Sequence, residues 1–310
     1  MLNSKLETFL ILCKLQSFSK TADYLHITQP AVSQHIKFLE EYYNGKLFNY
    51  SGRRFSLTKR GEMLYNFTAS MFADSEHIRK VLSSGSFENP SVSFGATRTI
   101  GEYVMPPLIA RLLNLYPDAK LKMLVDNTEE LFLKMRDGEV DFLVIEGYFK
   151  KTDFDVELFS TEKFVGLCAP DSHLAGKDVS LEELCGERLI LRENGSGTRD
   201  ILSHMLAEHN MSIESFAGAC EISNMRAIKE LVTAGAGITF MYRTAAAEEL
   251  ASGRMSAIRL PGIEMEHEFN FVCTRGSVNR SEYFSWFKFF KEIKAGETAP
   301  QRKGSALAWI

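Results

Sequence analysis

Residues 28–41, Thr-Gln-Pro-Ala-Val-Ser-Gln-His-Ile-Lys-Phe-Leu-Glu-Glu, constrain the fold most, because they describe one helix whose two faces need different surroundings. The Thr28 hydroxyl can take up an amide left unpaired at a helix start, and Pro30 is tolerated in the first turn, where a missing N–H costs nothing. Advancing about 100° per residue gathers Val32, Ile36 and Leu39 into a narrow apolar stripe and sets Pro30, Ser33, Gln34, Lys37 and Glu41 opposite. That polar side carries short or forked hydrogen-bonding groups and one cation, not the dense charge of a merely solvated face. Such groups suit base edges and phosphates in a major groove, and Gln29 stands at the amino end, where recognition helices reach the bases.

The flanking residues supply what such a helix needs. Ser17 or Ser19 can cap a short helix reaching Leu25, the small Ala22 lets two helices approach, and Leu25-His26-Ile27 turns the chain, with His tolerating positive φ better than most non-glycine residues. Residues 49–57 then read as two short strands around a Ser51-Gly52 turn, with Arg53 and Arg54 just past the tip. A wing of this kind brings guanidinium groups to a minor groove or to flanking phosphates. By itself the helix pair is also compatible with a small structural hairpin.

Six segments, in order, carry a resemblance: Leu6-Glu-Thr-Phe9, Ser17-Phe-Ser-Lys-Thr-Ala22, Thr28-Gln-Pro-Ala-Val-Ser33, Ile36-Lys-Phe-Leu-Glu40, Leu47-Phe48 and Leu57-Thr-Lys-Arg-Gly61. Together they resemble the amino-terminal winged helix-turn-helix of LysR-type transcriptional regulators. Thr21, Asn44 and Tyr50 depart from the usual alanine, glycine and arginine. Asn is the next best residue at a left-handed helix end, whereas Tyr50 leaves the wing's phosphate contacts resting more on Arg53 and Arg54. The expected DNA-binding residues are Thr28, Gln29, Pro30, Ser33, Gln34, Lys37, Arg53 and Arg54.

Charge and composition agree with a split chain. Residues 1–61 hold nine Lys or Arg against four acids, a balance of +5, so the overall −4 leaves −9 on the remainder. Nucleic acid is then expected to meet only the small basic part. The apolar run at residues 9–15 is too short to span a membrane and lacks the features of a signal peptide, so a cytoplasmic protein is expected. Five scattered cysteines (Cys13, Cys168, Cys185, Cys220, Cys273) show no zinc or redox spacing and read as buried thiols. A redox sensor would require two of Cys168, Cys185 and Cys220 to meet in the fold. His204 and His209, five apart, diverge by about 140° on a helix, and neither a metal nor a cofactor is implied.

Residues 58–84 read as one long helix on which Leu64, Phe67, Met71, Ile78 and Leu82 recur at the spacing of a pairing seam. A seam implies a homodimer; the alternative is packing on the chain's own second domain. From residue 91 strands and helices alternate: strands at 92–96, 120–125, 141–145, 188–191, 219–222, 237–242 and 269–274, and helices at 102–115, 128–137, 198–209, 225–234, 245–251 and 281–294. Further strand segments lie in 156–169. This alternation argues for a parallel sheet covered on both faces, in two lobes with chain crossings near Phe164 and Phe269. The pattern resembles the two-lobed α/β effector domain of the same family, akin to type 2 periplasmic binding proteins. The expected division is 1–60 winged helix-turn-helix, 61–84 linker and dimerisation helix, 85–90 hinge, 91–295 effector domain and 296–310 disordered tail.

Open α/β sheets bind ligands beyond the carboxyl ends of their strands. Three such turns carry hydroxyls and amides suited to an anion: Thr97, Arg98 and Thr99; Gly195, Ser196, Gly197 and Thr198; and Ser223 with Asn224. Each turn alone reads equally as helix capping, but their equivalent positions in both lobes favour a shared cleft. The form Arg192-Glu-Asn-Gly-Ser-Gly-Thr-Arg199 resembles the family branch that regulates sulfur assimilation and carbon fixation, which implies a small anionic effector. The resemblance also implies a homotetramer acting on promoter or operator DNA with two half-sites.

The rival readings are an enzyme and a solute-binding protein. A nucleophile elbow needs glycines two before and two after Ser196, where Asn194 and Thr198 stand, and no phosphate loop, zinc-protease helix or dinucleotide fingerprint occurs. A ligand-binding or enzymatic α/β protein without regulatory DNA binding would be indifferent to DNA. The favoured reading is a DNA-binding regulator, not an enzyme, whose binding weakens steeply with salt.

Overall fold

The computed structural model describes residues 3–51, 54–83, 91–263 and 265–296. Arg53, the expected hinge 85–90 and all but the first residue of the expected tail lie outside them.

The chain begins with α1 (Ser4–Leu15), α2 (Phe18–Tyr24) and α3 (Gln29–Tyr42), then β1 (Phe48–Ser51) and β2 (Arg54–Leu57), and α4 (Lys59–Ser83). The three short helices share a core of Phe9, Leu12, Ala22, Val32, Ile36, Leu39, Leu47, Phe48 and Leu64. Their starts are capped as the side chains dictate: the Ser17 hydroxyl accepts from the Lys20 amide and Thr28 from the Ala31 amide. His26 and Asn44 adopt φ of 54° and 50°, the left-handed region expected at both positions.

Next come β3 (Ser91–Thr97), a π-helical turn (Ile100–Val104), α5 (Met105–Leu115), β4 (Lys120–Asp126), α6 (Thr128–Arg136), β5 (Phe142–Ile145) and β6 (Phe154–Cys168). The second half adds α7 (Leu181–Leu184), β7 (Arg188–Leu191), α8 (Gly197–Glu208), β8 (Gly218–Glu221), α9 (Met225–Thr233), β9 (Thr239–Tyr242), α10 (Ala247–Ala251), β10 (Ser256–Ile258), β11 (Glu266–Thr274) and α11 (Arg280–Lys294).

The parallel pairing expected is present within a mixed sheet. β3 is parallel to β4 and β5, and β7 to β8, but β6 and β11 run antiparallel to each other and to their other neighbours. The reason is that β6 and β11 are the two passes between lobes and run in opposite directions. Along β6, residues up to Lys163 pair with β11 in the first lobe, and from Phe164 onward with β9 and β10 in the second. Phe164 is therefore the crossing on β6; on β11 the first-lobe pairing begins at Glu266, opposite Lys163, with an irregularity in register between Phe269 and Asn270.

The expected helix at 102–115 also divides. Pro106 and Pro107 lack the N–H groups that regular α-bonding to residues 102 and 103 requires, so α5 starts afresh at Met105 with the π-turn before it.

α4 docks on the first lobe. Asp74 accepts from Ser277 Oγ (2.6 Å), Asn279 Nδ2 (3.2 Å) and the Val278 amide (3.2 Å), while Arg136 donates to Tyr65 Oη (2.7 Å). His77 lies between Asp141 and Glu282, 3.1 Å from each. This corrects the uniform seam: Leu64 is buried in the winged domain and Met71 packs against it, leaving Phe67, Ile78 and Leu82 exposed, with Met63 beside them.

Candidate functional site

Two regions gather the expected functional residues. On α3 the apolar stripe of Val32, Ile36 and Leu39 is buried, which turns Gln29, Pro30, Ser33, Gln34 and Lys37 to solvent along one exposed surface. Thr28, also exposed, is used as the cap; Gln29 Oε1 accepts from Ser19 Oγ at 3.3 Å, tying α2 to the start of α3. Lys37 keeps a loose contact with Glu41 at 3.7 Å and is exposed to solvent. The wing pairs Phe48 with Leu57 through Ser51 with Arg54, and Arg54 is exposed.

A residue missed by sequence reasoning holds this wing. Glu40 is buried, and its carboxylate accepts from the Leu47 amide (3.0 Å) and Lys46 Nζ (2.7 Å), so β1 is fixed to the end of α3. The signal was available: an acid at position i+4 from Ile36 falls on the buried stripe.

The second region is where the lobes meet. β3 ends at Thr97 beside the end of β5, and Thr97 Oγ1 donates to the carboxylate of Glu146, the residue after β5. From the other lobe α8 begins at Gly197, against the backbone of Glu146 and Gly147: a Cβ on Gly197 would stand 2.9 Å from the Glu146 carbonyl oxygen. Only glycine allows that approach, and Gly147 itself has φ of 95°. Arg98 of the first lobe lies 3.8 Å from Glu193 of the second, the Lys229 ammonium sits over the Tyr103 ring at 4.7 Å, and Tyr148 stacks on His204 at 4.0 Å.

Thr97, Thr99, Ser196 and Thr198 are all buried here, and Thr99, Thr198 and Tyr242 hold hydroxyls without a hydrogen-bond partner in the protein. Ser196 occupies the N-cap of α8 without making a side-chain cap. By contrast Ser223 and Asn224 are exposed, and Asn224 Oδ1 is taken by the Ala227 amide as an ordinary cap. β7 and β8 are parallel neighbours, so these two residues share the strand-end edge with Arg192 while lying at the rim.

Sequence reasoning passed over three buried groups. Arg192 forms a two-point ion pair with Glu193 (2.7 and 2.8 Å). Burial opposes the charge on Glu193, yet Arg192 holds its carboxyl below the ordinary range. Burial pushes Glu146 up to about 7, against the pull of the Arg192 charge. Tyr242, pushed up by burial, faces the same space. Arg192 stood inside the quoted segment, and an acid directly after four apolar strand residues was the only sign of Glu146.

The five cysteines form no disulfide; burial raises Cys13 and Cys273 to about 12, and Cys168 above its ordinary value as well. Among the described residues no helix is long and apolar enough to cross a membrane.

Comparison with known proteins agrees with this arrangement. Residues 4–62 match the family model for the bacterial regulatory helix-turn-helix protein, lysR family, and residues 86–293 match the LysR substrate binding domain. The chain is 31% identical over 270 residues to the HTH-type transcriptional regulator CysL of Bacillus subtilis, covering 86% of this chain and 89% of that protein. It is 28% identical over 283 residues to a probable RuBisCO transcriptional regulator of Gracilaria tenuistipitata, covering 89% and 90%. Among solved structures, full-length BenM aligns with a TM-score of 0.57 at 18% identity over 97% of this chain and 100% of that one. The Synechocystis CcmR regulatory domain in complex with 2-PG aligns with a TM-score of 0.59 at 20% identity, over 66% of this chain and 98% of that one.

The chain belongs to the LysR family of transcriptional regulators: a helix-turn-helix DNA-binding unit joined to a two-lobed effector-binding domain, and not an enzyme. Its relatives support the sulfur-assimilation and carbon-fixation branch.

Proposed function

We propose that this regulator reads two half-sites of promoter or operator DNA as a homodimer, assembling to a tetramer, in the cytoplasm, and is controlled by a small anion held between its lobes. Residues 1–60 form the reading unit, 61–84 the dimerisation helix and 91–295 the effector domain. Thr28 and Pro30 place the start of α3; Gln29, Ser33 and Gln34 reach bases, and Lys37, Arg53 and Arg54 meet phosphates. The observation that carries this reading is the exposed row of Gln29, Ser33, Gln34 and Lys37 on a helix anchored by a buried apolar stripe. Pairing through α4 is supported by its exposed Met63, Phe67, Ile78 and Leu82.

The anion reading rests on the buried hydroxyls of Thr99 and Thr198 at the lobe junction, and on the positive end of α8 pointing into it. Thr97, Arg98, Gly195, Ser196 and Gly197 complete the cradle, with Ser223 and Asn224 at its rim. The CcmR regulatory domain, similar in fold, is solved in complex with 2-PG.

Binding to promoter and to random DNA, read by fluorescence anisotropy at two salt concentrations, tests the DNA interface. Lys37→Ala should weaken both about equally, whereas Gln29→Ala should cost about 1–3 kcal/mol on the preferred site alone. Equal losses for Gln29→Ala on both would refute its role.

A further inference from the structure

We infer that the interlobe cleft binds its oxyanion together with a proton, carried by Glu146, so that effector binding is coupled to proton uptake. The inference rests on the anionic-effector reading and concerns what the cleft does with charge.

Glu146 is an acid in the middle of a site built for a negative ligand. It is buried, and its carboxyl is fixed from β3 by the donated hydrogen bond of Thr97. The Thr99 hydroxyl from the π-turn side lies close enough to favour its charge without forming a well-made hydrogen bond. Tyr242 faces it from β9 and Arg192 from the end of β7. α8 contributes backbone at Gly197, and the start of α6 contributes Thr128, whose hydroxyl reaches the Glu146 carbonyl at 3.4 Å.

The arginines at the lobe junction are already engaged. Arg192 gives two hydrogen bonds to Glu193, and Arg98 stands between Glu193 and Asp126 at 3.8 and 3.9 Å. An ionised Glu146 beside an incoming oxyanion would therefore leave two like charges in a closed, poorly solvated space. A carboxylate only accepts hydrogen bonds and has nothing to offer an oxyanion, whereas the neutral acid has one O–H to donate. Protonation converts Glu146 from a repelling group into a fourth hydroxyl donor beside Thr99, Thr198 and Tyr242. With its carboxyl titrating at about 7 before any ligand arrives, the proton is taken up within the ordinary pH range.

Isothermal titration of the full chain with thiosulfate and with sulfate tests the coupling, since both anions keep a fixed charge between about pH 6 and about pH 8.5. Affinity should fall toward tenfold per pH unit above about pH 7, and the measured enthalpy should change with the ionisation heat of the buffer as a proton is absorbed. Glu146→Gln, which keeps a donor without a titrating group, should bind with pH-independent affinity, about tenfold or more tighter than the native chain at about pH 8.5. Binding that is flat with pH in the native chain, or weakened at every pH by Glu146→Gln, would overturn the proton and leave the anion reading in place. Absence of binding by either anion to both proteins at every pH would remove the anion reading and this inference with it.

Discussion

The attachment of α4 to the effector domain should be lost in alkali, and His77 says by how much. Both ring nitrogens face a carboxylate at 3.1 Å, Nδ1 toward Asp141 and Nε2 toward Glu282. A neutral imidazole has one N–H and can satisfy only one of them, so the pair of contacts requires the imidazolium. Burial opposes that charge, yet the hydrogen bonds to Asp141 and Glu282 prevail and raise His77 from 6.5 to about 9. A folded-state value above the unfolded one contributes stability that is fully present below about pH 6.5 and is lost as pH rises through about 9. A rise of this size corresponds to about 3 kcal/mol, and solvent reaching the partly exposed Glu282 reduces it to about 2 kcal/mol. Urea unfolding followed by the fluorescence of Trp286, buried on α11, is a suitable assay. His77→Gln should lower stability by about 2 kcal/mol near pH 6.5, and the difference should vanish by about pH 10. A difference between the two proteins that stays constant over that range would refute the reasoning.

Three further outcomes are expected. Gly197→Ala sets a methyl 2.9 Å from the Glu146 carbonyl oxygen, backbone against backbone, so the lobes must part; effector affinity should fall by about 1–3 kcal/mol in calorimetry. Glu40→Ala strands the Leu47 amide and frees Lys46, and should cost about 1–3 kcal/mol in thermal unfolding of the winged domain. It should weaken specific and random DNA alike, because the wing loses its anchor. Cys13 and Cys273, with thiols raised to about 12 by burial, should resist iodoacetamide in the native chain at about pH 8 and react once urea is added, as mass spectrometry would show.

Local chemistry was legible without the fold. Helix periodicity assigned Val32, Ile36 and Leu39 to the inside of α3, and the caps at Ser17 and Thr28 follow from hydroxyls placed before apolar runs. His26 and Asn44 reveal their left-handed backbone because few other residue types tolerate it. The strand-to-helix turns that carry Thr97, Thr99, Ser196 and Thr198 were legible too, since a sheet's carboxyl edge follows from element order.

What depends on strand direction or on groups distant in sequence was decided only by tertiary structure. An apolar run has the same composition whichever way it runs, so the antiparallel passes of β6 and β11 left no mark on the pattern. The α4 stripe read as one seam because periodicity records which face is apolar, not which neighbour covers it; in the fold Leu64 serves the winged core while Phe67 stays exposed. Glu146 looked like any acid closing a strand until α8 of the other lobe came to rest on its backbone. Burial, not residue type, fixes what such a carboxyl does, and burial is a property of the folded chain: the sequence determined the elements and their caps, and tertiary packing decided which charges water could no longer reach.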